Sequence, residues 1–320
     1  MCRLRSPFAA TAVLAALFLA GCAGEEPGPT ASGPTVVDSP TAARSEAPAA
    51  FPVTVTDDDG VEVTLEEAPD RLATWGPSNT EVLFALGLGE KVVGVSSRFD
   101  DFPPEARSIP KIGFDVNVEK LVSLEPDLVL AIRGGDEWKD QAGDLGIQVL
   151  TLDATTLDDL FGDIETVGRV TGTTEEAATL VADLRAEAEA LQAEAQGVIE
   201  ESGPVSCFFE VFFGPPLYSV GPGSFVFDLL ERAGCDPVTA DAGGADVQLS
   251  VEAVLRADPD VYLVADDAAA SVQDVAGREG YQTLSAVRND RVVLVDADLV
   301  TRQGPRAVDG LGELVEAIHR

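Results

Sequence analysis

The sequence predicts an α/β fold of two doubly wound lobes joined by a single long interdomain helix, and three observations carry that prediction. The stretch NVEKLVSLEPDLVLA at residues 117–131 returns as SVEAVLRADPDVYLV at residues 250–264, with Val118/Val251, Glu119/Glu252, Pro126/Pro259, Asp127/Asp260 and Leu130/Leu263 in register at an offset of 133. A helix, turn and strand repeated once in this way mark two similar lobes. Short apolar runs alternate with helical segments on either side of the middle of the chain, the rhythm of parallel sheets covered by helices. Between them, Ala177, Val181, Leu184, Ala188, Leu191, Ala195 and Val198 recur at steps of four and three, one apolar stripe on a long helix.

Taken in order, the chain begins with a segment that is not part of the fold. Arg3 and Arg5 precede an apolar run from Phe8 to Ala20, too short to cross a bilayer as a helix, and Leu-Ala-Gly-Cys follows. That ending resembles a bacterial lipobox, so residues 1–21 are expected to be a lipoprotein signal peptide, with Cys22 lipidated and holding the protein to a membrane. Residues 22–50 are rich in proline and lack apolar periodicity, which predicts a disordered tether with a reach of roughly 30 Å. Residues 51–156 read as the first lobe, led by a hairpin at 53–65 that turns at Asp59-Gly60. Its core elements are LATW, a helix from Thr80 to Leu86, KVVGV, a helix near 118–124, DLVLAI, a helix near 137–144 and IQVLTL.

Residues 157–202 are expected to be connecting helices, the longer opening at Thr173 or Thr174 with acids in its first turn and running roughly 40 Å. Its stripe is read as lying across its own protein rather than forming a coiled-coil dimer, so a monomer is expected. Residues 203–320 form the second lobe: PVSCFFEVFF, a helix from Phe225 to Arg232, the SVEAVLRA helix, DVYLVA, a helix near 271–276, RVVLVD and a last helix from Pro305 to Ile318.

Composition narrows the function. A net charge of −35 repels phosphate backbones and anionic headgroups, which argues against nucleic acid as a partner. His319 is the only histidine, so a histidine-based metal site is hard to assemble. With Cys2 cleaved and Cys22 lipidated, Cys207 and Cys235 remain, either to pair after export or to leave Cys207 as a buried thiol.

In open parallel sheets ligands bind beyond the carboxyl ends of the strands. The residues that follow the predicted strands are Ser78 and Asn79, Arg98, Arg133, then Glu210, Phe213 and Tyr218, and finally Asp298 and Arg302, with Arg306 beyond. Ser78-Asn79-Thr80-Glu81 also matches a capping box. The arginines offer planar forks suited to carboxylate, phosphate or amide oxygens. Neither a G-x-S-x-G elbow, a Walker A loop nor an H-E-x-x-H pair is present, so binding is expected in place of catalysis.

RLATWGPSNTEVLFALGLGEKVVGVSSRFDDFPPEARSIPKIG, NVEKLVSLEPDLVLA, PLYSVGPGSFVFDLLERAG and DLVTRQGPRAVDGL together resemble the periplasmic (class III) cobalamin-binding proteins of ABC importers, within a wider class that takes up siderophores and haem. The resemblance implies two α/β lobes on one long helix with little hinge motion. It implies that Glu119 and Glu252 dock on arginines of a permease dimer, which works with an ATPase. It places Phe114, Asp246, Arg98 and Ile132 where relatives carry ligand-facing aromatics, a character only Phe114 keeps, and puts Asp298 and Arg302 in the segment beneath the ligand. The function so implied is that of a lipid-anchored, extracytoplasmic substrate-binding protein without a cofactor or metal of its own. Its cargo is expected to be a metal chelate, a corrinoid first, with a siderophore or haem carrier, or a chelatase-like surface enzyme, as the alternatives.

Overall fold

The computed structural model describes residues 51–97, 99–269 and 271–319, so the export segment, the tether, Cys22 and Arg98 lie outside the described residues. The chain opens with a hairpin of β1 (Val53–Thr56) and β2 (Glu62–Leu65). Asp57 ties its turn: one carboxylate oxygen accepts from the amides of Asp59 and Val61, at 3.1 and 2.7 Å, and the other from Thr151, at 3.1 Å. The hairpin is thereby fastened to the end of the first sheet.

That sheet consists of β3 (Leu72–Trp75), β4 (Val92–Gly94), β5 (Leu128–Ala131) and β6 (Gln148–Thr151), all parallel, in the order β4-β3-β5-β6. Every residue of β3 and β5 is buried, as expected of strands covered on both faces. The connecting helices are α1 (Pro77–Ala85), α2 (Val118–Ser123) and α3 (Asp136–Asp144). Helix α1 starts at Pro77 behind Gly76 with no side-chain cap, so the Ser78/Glu81 capping box does not form. Proline is pre-organised for a first turn, and the start it imposes leaves Ser78 inside the helix.

Two helices lead out of the first lobe. Helix α4 (Leu157–Thr171) begins with a capping box between Thr156 and Asp159 and stops at Gly172, in the left-handed region at φ 77°. Helix α5 (Thr174–Ser202) follows and buries Ala177, Val181, Ala188 and Ala195, with Leu184 and Leu191 packed at the edge of the same core. A Cβ on Gly168 would lie 2.4 Å from the Ala177 Cβ, so α4 and α5 approach closely where both side chains are small.

The second sheet is built from β7 (Val205–Phe212), β8 (Leu217–Val220), β9 (Cys235–Pro237), β10 (Asp246–Leu249), β11 (Val261–Ala265) and β12 (Val292–Val295). Its order is β10-β8-β7-β11-β12, with β9 also beside β7; β8 runs antiparallel to both of its neighbours, β7 and β10, and the other pairs are parallel. The sequence rhythm predicts neither β8, β9 nor β10. Each is three or four residues long and gains its strand character from its neighbours, not from a pattern of its own. Around the sheet lie α6 (Phe225–Arg232), α7 (Val251–Ala257), α8 (Val272–Ala276), α9 (Ser285–Arg288), α10 (Ala297–Val300) and α11 (Ala307–His319). Pro305 sits just ahead of α11 and not in its first turn. Cys207 and Cys235 form a disulfide between β7 and β9.

The repeat is visible in atomic detail. The side chains of Asn117 and Ser250 cap α2 and α7 by accepting from the Lys120 and Ala253 amides, at 2.8 and 3.2 Å. The chain then turns through the left-handed region at Glu125 (φ 47°) and Asp258 (φ 46°). Asp127 accepts from the Asp70 and Arg71 amides at 2.9 and 2.8 Å, while Asp260 accepts from the Ser206 amide and hydroxyl at 3.1 and 2.7 Å. Each repeated aspartate thus ties the start of its own strand to the start of the central strand beside it.

Candidate functional site

The strand orders create one crevice per sheet, because connections leave β3 and β5 in opposite directions, as they do β7 and β11. In the first lobe the crevice lies between Trp75-Gly76 and Ile132. A Cβ on Gly76 would stand 2.6 Å from the Ile132 Cγ2, and Gly76 has φ 123°, so glycine alone fits this approach of the two strand ends.

The first wall is aromatic. Trp75 ends β3, is 6% exposed, and its Nε1 donates to the Phe114 carbonyl oxygen at 2.8 Å. Its ring lies 5.8 Å from that of Phe114 and 5.3 Å from that of Trp138, the latter edge-on at 70°. Gly135 leaves room for the second indole, since a Cβ there would fall 2.2 Å from the Trp138 Nε1. Phe114 itself is 64% exposed. Arg133, also at the end of β5, pairs with Asp153 at 2.7 Å. Burial pushes the Asp153 carboxyl up while the Arg133 guanidinium pulls the other way.

The second wall is held by charge. Glu210 is fully buried in β7 and accepts from the two terminal guanidinium nitrogens of Arg278 and from the Tyr262 hydroxyl, the last at 2.6 Å. Burial, with the Glu210 charge beside it, drives the Tyr262 phenol far above its ordinary range, so it stays a donor. The Arg278 guanidinium stacks over the Phe213 ring at 3.7 Å, and Tyr281 meets the same ring edge-on at 6.2 Å. Phe213 is partly exposed, and beside it on the β7-β8 hairpin Phe212 and Tyr218 form a second exposed aromatic pair, 6.1 Å apart. Asp246 opens β10, exposed, opposite Val220.

Between the lobes, Glu81 of α1 reaches across to arginines that precede α11. Arg306 donates to its two oxygens at 2.6 and 2.9 Å, and Arg302 to one of them at 3.3 Å while also pairing with Asp298. Donation to the Glu81 carboxylate holds the Arg306 guanidinium charged against the opposing effect of burial. The same guanidinium covers the Phe102 ring at 3.9 Å. A Cβ on Gly304 would sit 3.6 Å from the Ser78 Cα, which shows how closely the lobes pack beside this network.

The predicted residues therefore fall into separate groups. Phe114, Arg133, Phe213, Tyr218 and Asp298 keep exposed or partly exposed surface at the carboxyl edges of the sheets, and Arg302 is tied into the interlobe network. Asp246, exposed at the amino end of β10, stands away from that edge because β10 runs parallel to β7. Ser78 and Asn79 are buried in the first turn of α1, and Glu210 is enclosed with its oxygens already engaged. Glu119 and Glu252 are exposed in the first turns of α2 and α7. Among the described residues no group of three or more His, Cys, Asp or Glu is placed to hold a metal ion. Sequence reasoning passed over Trp75, Trp138, Glu81 and Arg278. Trp75 carried a signal as the bulky end of an apolar strand, whereas the partners of Glu81 and of Arg278 lie too far along the chain for any local pattern to expose them. The arrangement offers aromatic faces and charged groups already paired within the protein, an apparatus for holding a ligand.

The family described as periplasmic binding protein matches residues 72–299. An ABC transporter substrate-binding lipoprotein of Bacillus subtilis, YvrC, is 35% identical over 97% of this chain and 96% of its own length. A cobalamin-binding protein of Halobacterium salinarum is 31% identical over 91% of this chain and 81% of its own. Among solved structures, the periplasmic heme-binding protein RhuT from Roseiflexus superposes with a TM-score of 0.70 at 29% identity, over 78% of this chain and 98% of its own. An ABC-type Fe3+-hydroxamate transport protein from Saccharomonospora viridis gives 0.68 at 29% identity, over 85% of this chain and all of its own.

Proposed function

The chain belongs to the periplasmic binding protein family, and from that premise we propose that it is the substrate-binding component of an ABC importer, capturing a metal chelate between its lobes for delivery to a permease. The observation that carries the transport role is the matched pair Glu119 and Glu252. Both are exposed, both follow a side-chain cap, and both occupy the same place in the repeated unit. An acid in a first turn complements the helix dipole, but that alone gives no reason for the match between lobes, whereas a twofold-symmetric receptor does. The carboxyl of Glu252 is held below its usual range by its own backbone amide and the Ser250 hydroxyl, so it presents a fixed negative charge. The cargo we assign first is a corrinoid, in line with the relative named as cobalamin-binding; a ferric siderophore and haem follow, in line with the solved structures. Lipid on Cys22 would keep the protein on the outer face of a membrane, and the Cys207–Cys235 disulfide fits an oxidising compartment.

Isothermal titration with cyanocobalamin, cobinamide, haemin and ferric hydroxamates tests the cargo, with binding of a corrinoid expected; silence towards every corrinoid removes the leading ligand. For docking, the double variant Glu119→Ala/Glu252→Ala is expected to bind its ligand as the wild type does while transport into cells or proteoliposomes falls at least tenfold, on the order of the loss when one partner of a desolvated charge pair is removed. Transport that survives the double change would end the docking role.

A further inference from the structure

We propose that Trp75 is a positioning residue for the ligand: it acts through Phe114, which it holds as the contact ring of the first lobe. The inference rests on the substrate-binding reading above and names the residue that builds one wall of that site. Phe114 has little of its own to fix it. It follows Gly113, which is in the left-handed region at φ 98°, in a segment outside helix or strand, and 64% of its surface is open. What fixes it comes from Trp75, the N–H bond of 2.8 Å to its carbonyl oxygen and the ring contact at 5.8 Å.

Trp75 is in turn immobile. It is the last residue of β3, paired with Ala131 of β5, and its outer edge is closed by Trp138, which is 8% exposed in α3. Rigidity therefore passes from the sheet through an indole to a phenyl ring that presents its free surface at the carboxyl edge of the strands. A ring held in place before the ligand arrives spares the ordering cost of binding. Its open surface is apolar and its partner class is a flat, π-faced ligand, which stacks on phenyl rings in offset or tilted geometry.

Titration calorimetry of the best-bound probe among cyanocobalamin, haemin and a ferric hydroxamate, across a double-mutant cycle, tests this. Phe114→Ala and Trp75→Leu are each expected to weaken affinity by about three- to tenfold, and the Phe114→Ala/Trp75→Leu protein to be no weaker than the worse single variant. Trp75→Phe, which keeps a ring but loses the N–H, should fall between wild type and Trp75→Leu. A residue that merely supported the fold would give additive losses, and additive losses, or an unchanged affinity in Trp75→Leu or Phe114→Ala, overturn the proposal. Thermal unfolding of each ligand-free variant identifies any that does not fold, and Trp75→Phe closes the cycle if Trp75→Leu fails. A wild type that binds none of the probes overturns the substrate reading and this wall together, whereas binding with additive losses overturns the wall alone.

Discussion

In the first lobe Phe114 leans on Trp75, which leans on Trp138, a chain of three aromatic rings; in the second, Phe213 leans on Arg278, whose guanidinium is clamped by Glu210. The same repeated helix, turn and strand lies beneath both walls, with left-handed residues and strand-tying aspartates at matching places. The repeat does not itself supply the aromatic edges, since Phe114 precedes α2 while Phe213 follows β7, and what holds each ring differs as well. The two solutions differ in how they fail. A stack of rings loses a modest increment when trimmed, while a buried ion pair that loses one member strands the other charge in a low dielectric.

The largest effect expected from that difference is at Glu210. Glu210→Gln keeps the shape but leaves the Arg278 guanidinium, only 11% exposed, without its counter-charge, and should cost about 3–5 kcal/mol in urea unfolding. Removing both charges, with Glu210→Gln and Arg278→Met together, should cost less than the single change. A loss below about 1 kcal/mol for the single variant would erase the contrast between the walls.

Charge also distinguishes the lobes on their flanks. The second lobe balances its buried carboxylate, whereas beside the first Asp163 faces Asp58, Asp153 and Asp159, and the cations Arg133 and Lys139 act on Asp153. Burial first, then those three carboxylates, pushes the Asp163 carboxyl up to about 8. A folded value above the unfolded 3.8 means that this group's contribution to stability is complete below 3.8 and is lost as pH rises through about 8. Asp163→Asn is therefore expected to flatten the fall in urea midpoint over that window and to raise the midpoint at its alkaline end. An unchanged slope would show that the Asp163 carboxyl is not raised in the folded protein.

The smallest effect lies in the repeat itself. Glu125→Gly should stabilise by about 0.5 kcal/mol, since relief of a left-handed side chain outweighs the added freedom of the unfolded chain. Asp258→Gly relieves the same conformation but discards the bonds its carboxylate accepts from the Ser285 amide and hydroxyl, at 2.6 and 2.8 Å, and should destabilise by about 1 kcal/mol. Equal shifts in the two variants would mean that the second copy has acquired no role beyond the turn.

Much of this was legible before any fold was seen. The repeat, the buried strands of the parallel core, helix α6 and the stripe of α5 are local: apolar spacing, capping residues and turn chemistry act among residues a few positions apart. Phe114 and the exposed pair Glu119 and Glu252 were reached through resemblance and repetition. The walls behind the rim were not, and Glu210 read as a rim residue because its place at the end of an apolar strand says nothing about what closes over it.

By itself the sequence determined that there are two α/β lobes, one long helix between them, and a matched acid in each repeated unit, since these follow from short-range periodicity and its recurrence. Only the tertiary structure decided which charges meet. Glu81 finds Arg302 and Arg306 at separations of 221 and 225 residues, and Glu210 finds Arg278 at 68, because strand order and crossovers bring distant segments into contact. The strands β8, β9 and β10 were decided there as well, for a short segment takes its strand from the edge it pairs with.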